Sequence, residues 1–200
     1  MDDLKLQLKG NEHNAYTIHY SCSGFYSGGA VAPTICCIAI TNVKTQELHT
    51  FALSNYVVEG KCLVDAERQL LVDFTNFWNN LKNPTLLYWR MDGLEYGFPA
   101  ILARCENYGL NNISFINTNA IDISVKLSSS LQWELEKHQC HCVNMLSGKN
   151  EAVCFEKRNF SAVKLSTEAK SVGMAKLINK ILKNEIDDDF DTDYDLCNYE

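Results

Sequence analysis

The chain has 200 residues, 46% hydrophobic and 22% charged, a balance that fits one globular domain and excludes a wholly disordered chain, a collagen and a coiled-coil rod. No apolar run reaches the ~18 residues of a spanning helix, and the opening MDDLKLQLKG lacks the apolar core of a signal peptide. The net charge of −7 is local: residues 185–200, EIDDDFDTDYDLCNYE, hold eight of the 25 acids and no base, which leaves seventeen acids against 18 bases elsewhere. A near-neutral body exerts no general pull on nucleic acid, although a local basic patch is compatible with it. Nine cysteines, an odd number, fit free thiols in a reducing compartment, so the cytoplasm is the expected location.

Residues 15–23, AYTIHYSCS, alternate and are rich in β-formers, which predicts a first strand. GFYSGGAVAP reads as a turn, with Gly28-Gly29 in it rather than in a phosphate-cradling loop. ICCIAITN, residues 35–42, is a short apolar run that predicts a buried strand, with Cys36 and Cys37 as small hydrophobes. After VKTQE, LHTFALS from Leu48 predicts a third strand, and the short connections favour antiparallel pairing. Ala66, Leu70, Leu71, Phe74, Phe77, Trp78 and Leu81 recur at helical spacing, with Asp65 as the expected cap and Lys82-Asn83-Pro84 as the stop. TLLYW, residues 85–89, predicts a fourth strand, and a second helix is expected from about Tyr96 to Tyr108. Pro99 falls in its first turn and Gly109 ends it.

NISFINT, residues 112–118, predicts a further strand, followed by helical pieces over IDISVKL and SSLQWELEKH. Residues 142–158 read as short helical segments broken at Ser147-Gly148, and the last helix is expected from about Ser166 to Lys183, with Met174, Ile178, Ile181 and Leu182 buried. The order β-β-β-α-β-α-β followed by helices predicts one α/β domain over residues 1–183, a mixed sheet of three antiparallel strands and then βα units with helices on both faces. Residues 184–200 are expected to form an acidic, disordered tail.

TLLYWRMDGLEYGFPAILARCENYGL, residues 85–110, resembles the second motif of the DEDD-type 3′–5′ exonucleases of the RNase H-like superfamily. In that motif a strand leads through a turn to Phe-Asp and then to an apolar helix that carries an Arg and ends at a Gly. Here Tyr96-Gly97 stands in the Phe-Asp place, and Arg104 and Gly109 fall at the matching spacing. The segment is also similar to an uncharacterised bacterial branch that reads Trp-Asn-Met and then Tyr-Gly-Phe, here Trp89-Arg90-Met91 and Tyr96-Gly97-Phe98. The likeness extends weakly over residues 15–183, through the order of elements and the SGKNEAVCFE segment.

The resemblance implies the RNase H-like fold and a chemistry of two-metal phosphodiester hydrolysis, with four carboxylates holding two Mg²⁺ or Mn²⁺ ions. It places two of those acids one residue apart on the first strand, where the chain reads Ile18-His19-Tyr20-Ser21-Cys22-Ser23. It places the third at Gly97 and the fourth on the last helix, where Lys170, Ser171, Val172 and Gly173 stand. All four acids are lost, so no metal cofactor is expected. What remains is a catalytically degenerate module that binds nucleic acid or a partner protein. The family's company implies bacterial defence or mobile-element biology.

Several alternatives stay open. The displaced acids Asp92, Glu95, Asp122 and Glu168 would, if they converged, hold Mg²⁺ or Mn²⁺ and run an active nuclease; otherwise Glu95 favours the positive end of the second helix and Asp92 is solvated. His138, Cys140, His141 and Cys142 in EKHQCHC have zinc-ligand types but lack a second ligand pair apart from Cys154, and the plainer reading is a helix end. His19 and Cys22, three apart on one strand, are expected on opposite faces, which argues against a Cys-His nucleophile. Lys176, Lys180 and Lys183 share a helical face and, with Lys170, form either a phosphate-contacting strip or a solvated surface. Trp89, Arg90 and Tyr96 would contact nucleic acid by stacking and charge, or else fill the core. The tail would fold back as a polyanion that competes with nucleic acid, or recruit a basic protein partner. A structural adaptor is the reading from a different class.

Overall fold

The structure, a computed structural model, describes residues 2–24, 32–57, 62–93, 96–110, 113, 119–127 and 129–186. Five strands, β1 (Ala15–Cys22), β2 (Ile35–Asn42), β3 (Leu48–Ala52), β4 (Thr85–Tyr88) and β5 (Asn119–Asp122), form one mixed sheet in the order β3-β2-β1-β4-β5. β1 pairs antiparallel with β2, and β2 with β3, whereas β4 runs parallel to β1 and β5 parallel to β4. The helices are α1 (Asp2–Leu8), α2 (Leu63–Asn80), α3 (Phe98–Asn107), α4 (Leu131–Lys137), α5 (Gly148–Glu156) and α6 (Phe160–Leu182). The expected α/β mixed sheet, three antiparallel strands and then βα units, is the one observed. Among the described residues no helix is long and apolar enough to cross a membrane.

The period of two along each strand sorts side chains to two unlike faces. On one face Ile18, Tyr20, Ile38, Ile40 and Leu86 form an apolar core with Phe74 and Trp78 of α2 and Ile101 and Cys105 of α3. The other face, under α6, is lined by hydroxyls. Thr17 Oγ1 donates to the Ser171 carbonyl at 2.9 Å, and the Thr41 and Ser171 hydroxyls meet at 2.8 Å. Every such bond satisfies a group that would otherwise be costly to bury. Further along the same face Leu87 and Trp89 pack with Leu4 and Leu8 of α1, Leu135 of α4, and Met174 and Ile178 of α6.

Arg104 has a structural role. Its guanidinium bonds both oxygens of buried Glu67, which also accepts from the Ile35 backbone N–H at 2.7 Å and from the Tyr108 hydroxyl at 2.8 Å. One carboxylate thus ties α2, α3 and the start of β2 together.

The observed boundaries correct several expectations. α1 is an additional element, signalled by only two buried residues, Leu4 and Leu8. α2 begins at Leu63 after Cys62, without a side-chain cap, and Asp65 lies inside its first turn. β5 occupies 119–122, so Ile121 and Asp122, expected in a helical piece, end a strand and only Ile123–Val125 makes a 3₁₀ turn; of the strand expected over 112–118 only Ile113 is described, and the rest lies outside the described residues. A single helix, α5, starts at Gly148, capped by the Ser147 hydroxyl accepting from the Asn150 N–H at 3.3 Å. α6 starts at Phe160 rather than near Ser166. Its first half buries Thr167 and Ser171 against the hydroxyl face and Ser166 against Glu151, so after Phe160 and Val163 no apolar stripe marks it. The packed body runs to Ile186, which is buried in the core beneath α6; residues 187–200 of the tail lie outside the described residues.

Candidate functional site

The carboxyl ends of β1 and β4 open into a cavity of about 620 Å³ bounded by α5 and α6, within the size range of small-ligand sites. His19 and Ser21 of β1, Glu151 of α5 and Lys170 of α6 form its polar floor. His19 and Ser21 share a side of the strand because they are two residues apart. Trp89, Tyr96, Leu131, Met145 and Leu146 supply walls, and the exposed Arg90 and Lys149 stand at the rim.

The floor is buried and neutral in sum. Lys170 Nζ donates to Glu151 Oε1 at 2.7 Å, with the two side chains 10% and 5% exposed. The Ser166 hydroxyl donates to the same oxygen at 2.6 Å. Ser21 Oγ lies 2.7 Å from Thr167 Oγ1, and Thr167 itself donates to the Val163 carbonyl, so Ser21 is the donor in that pair. His19 is 6% exposed and neither ring nitrogen has a hydrogen-bond partner. Burial, and next to it the charge of Lys170, holds its pKa well below 6.5. The ring is therefore a neutral imidazole with one donor and one acceptor unused.

The turn between β4 and α3 closes one side. Gly97 has φ 134°, and a Cβ placed there would sit 1.8 Å from the Met91 carbonyl oxygen. Its N–H donates to the Tyr20 hydroxyl at 2.7 Å. The Tyr96 hydroxyl donates to the Tyr20 carbonyl at 2.7 Å, and the two rings stack with centroids 4.6 Å apart. The position that the resemblance assigns to an acid thus has no room for any side chain. Cys22 lines the cavity at the end of β1, although it packs with Ile18 and Tyr20 in the apolar core on the face opposite His19. Its thiol donates to the Gly24 carbonyl at 3.0 Å and burial raises its pKa, so it stays a protonated thiol.

Among the described residues the displaced acids form no group of three. Asp92 is exposed in the turn. Asp122 accepts from the backbone N–H groups of Ser124 at 2.9 Å and Arg90 at 3.2 Å. Glu168 accepts from Thr50 Oγ1 at 2.8 Å, over β3. Glu95 lies outside the described residues. Among the described residues no group of three or more His, Cys, Asp or Glu side chains is placed to hold a metal ion. Mg²⁺ and Mn²⁺ require a cage of oxygen ligands. The floor offers one buried carboxylate already paired with an ammonium, a hydroxyl and a neutral ring, so these residues do not fit the divalent ions of the exonucleases that the sequence resembles.

The zinc alternative is corrected likewise. His138 sits 3.5 Å from Glu134, the Cys140 thiol points to the His138 carbonyl at 3.4 Å, and the Cys142 thiol points to the Cys140 carbonyl at 3.7 Å. His141 is exposed. The backbone N–H groups of Cys140 and His141 both bond the Leu135 carbonyl, so the segment is the end of α4, as the plainer reading expects.

The basic strip divides. Lys170 points inward to Glu151, which corrects its placement on a surface strip. Lys180 donates to the His138 carbonyl at 2.7 Å, and Lys176 lies 3.7 Å from the Cys142 sulfur. Lys183 is exposed about 20 Å along the helix from Lys170. Of the residues assigned to nucleic acid, Trp89, Arg90, Tyr96 and Lys170 meet at the cavity and the other three lysines do not line it. Glu151, Lys149 and Met145 escape sequence reasoning, because α5 has no strong periodicity to orient them. Compared with known proteins, the chain matches no protein-family model and no curated protein.

Proposed function

We propose that the chain is an RNase H-like module of the exonuclease type, catalytically degenerate, whose cleft binds nucleic acid without metal-dependent hydrolysis. The sheet order β3-β2-β1-β4-β5, with β4 and β5 parallel to β1, agrees with the fold that the resemblance implies. One observation carries the functional reading: His19 and Ser21, on the strand where the resemblance implies paired acids, lie at the floor of an open cavity beside a carboxylate neutralised by Lys170. Trp89 and Tyr96 in the wall suit base stacking, and Arg90 and Lys149 at the rim suit phosphates. The test is fluorescence anisotropy with a labelled single-stranded oligonucleotide at low salt, in chelator and in Mn²⁺. The reading predicts the same binding curve in both. No binding in either overturns it.

A further inference from the structure

We infer that the cavity takes a neutral, planar nitrogen heterocycle of the nucleobase kind, inserted edge-first so that its donors and acceptors meet His19 and the Ser21–Glu151–Lys170 floor. The inference deepens the proposed function and rests on it for the nucleic acid as source. It also sets the direction of entry: the base goes to the floor and the phosphate stays at the rim.

Charge decides that direction. Glu151 cancels Lys170 at 2.7 Å, and His19 adds no charge. An anion driven to this depth would lose its water without meeting a spare cation. At the mouth the exposed charged groups are Arg90, Lys149 and Glu156, two basic and one acidic, so the positive balance of the site is there. Hydrogen bonding decides the ligand's chemistry. His19 is 6% exposed with both ring nitrogens unpartnered, so a purely apolar ligand would leave them unsatisfied. The two nitrogens diverge across the ring, so one edge of a ligand engages one of them, with a donor to the bare nitrogen or an acceptor to the N–H. The walls decide its shape. Trp89, largely buried in the core, lines one wall, and Met145 and Leu146 are apolar and adaptable. About 620 Å³ holds a heterocycle and its sugar with room at the entrance.

Two sources present this chemistry, a free nucleoside and a base of single-stranded nucleic acid. The experiment uses the full chain at low salt. Isothermal titration measures binding of adenosine, guanosine, cytidine and uridine, none of which carries a phosphate. Anisotropy measures binding of a labelled single-stranded oligonucleotide and of an abasic strand of equal length. His19→Phe keeps a ring but removes both nitrogens, and Ala152→Trp fills the cavity from α5 without altering the floor; thermal melts establish that each variant is folded. At least one nucleoside is expected to bind, and each variant to weaken it at least tenfold. The oligonucleotide is expected to lose affinity to the same degree in both variants and when its bases are removed. Absence of nucleoside binding, or equal binding by both variants, overturns the inference. In that case, oligonucleotide binding that survives the abasic change leaves the proposed function standing without it. Nucleosides that bind while neither strand does would support the inference, make the ligand a free metabolite and overturn the nucleic-acid reading.

Discussion

His19→Phe is expected to stabilise the protein while it damages the site. The wild-type ring buries two nitrogens without partners; counted as a single unsatisfied group, it costs about 1–3 kcal/mol. Phenylalanine keeps the ring, suits a strand and has nothing to leave unpaired, so a gain of about 1–3 kcal/mol at pH 7 follows. For a chain of this size that corresponds to roughly 2–10 °C in Tm. The gain depends on pH with a definite sign. The folded pKa of His19 lies well below 6.5, so below that pH the unfolded chain takes up a proton that the folded chain refuses. The stability held by the neutral ring is complete above about pH 6.5 and falls by about 1.4 kcal/mol per unit as the pH drops. Phe has no such loss, which widens the difference between the two proteins by about 2 kcal/mol at pH 5. The charged groups around the ring, Lys170 from α6 and its partner Glu151 from α5, are present in both proteins. His138, whose pKa burial also lowers, contributes equally to both. Urea unfolding followed by tryptophan fluorescence at pH 5, 6, 7 and 8 measures the difference. A variant less stable than wild type at pH 7, or two stability profiles that run parallel from pH 8 to 5, would refute the reasoning.

Glu67→Gln removes the carboxylate on which Ile35, Arg104 and Tyr108 converge and leaves a guanidinium largely buried without its counter-charge. A loss of about 3–5 kcal/mol in urea unfolding is expected, and a loss under about 1 kcal/mol would contradict the anchoring role. Lys170→Met and Glu151→Gln should each cost about 3–5 kcal/mol, whereas Lys170→Met with Glu151→Leu should recover most of it; additive losses would show that the pair does not act as a unit. Gly97→Ala places a Cβ 1.8 Å from the Met91 carbonyl oxygen at φ 134°, so the turn must move. At least about 3 kcal/mol is expected to be lost, and wild-type stability would show that the turn is not fixed on β1. Gly97→Asp meets the same obstacle and will not restore an acid.

The strands and α2 are legible because each buries a regular apolar set: Ile18 and Tyr20 alternate, and Leu70, Leu71, Phe74 and Trp78 repeat at helical spacing. The first half of α6 is not legible. Besides Phe160 and Val163 its buried residues are largely polar, among them Ser166, Thr167, Lys170 and Ser171, and a polar buried stripe looks like a surface. β5 is not foreseen for a related reason: Asn119–Asp122 is short and partly exposed, so no buried apolar set marks the segment that pairs with β4. The site is half legible. Trp89, Arg90 and Tyr96 stand out from the turn's aromatic composition, and the missing acids follow from the resemblance. Lys170 reads as one more lysine of a basic helix until its depth is known. Glu151 and the unpartnered state of His19 depend on how α5 crosses the end of β1, which no local pattern encodes.

The most direct test of the degenerate reading is strand shortening. A 5′-labelled single-stranded oligonucleotide is incubated with the protein at low salt in Mn²⁺, and its length is read on a denaturing gel beside a native gel of the same mixture. A floor of neutral imidazole, hydroxyl and a closed ion pair has no oxygen cage for the metal, so a retarded complex with full-length strand is predicted. Stepwise shortening that chelator abolishes, and that Asp92→Asn or Asp122→Asn removes, would contradict it.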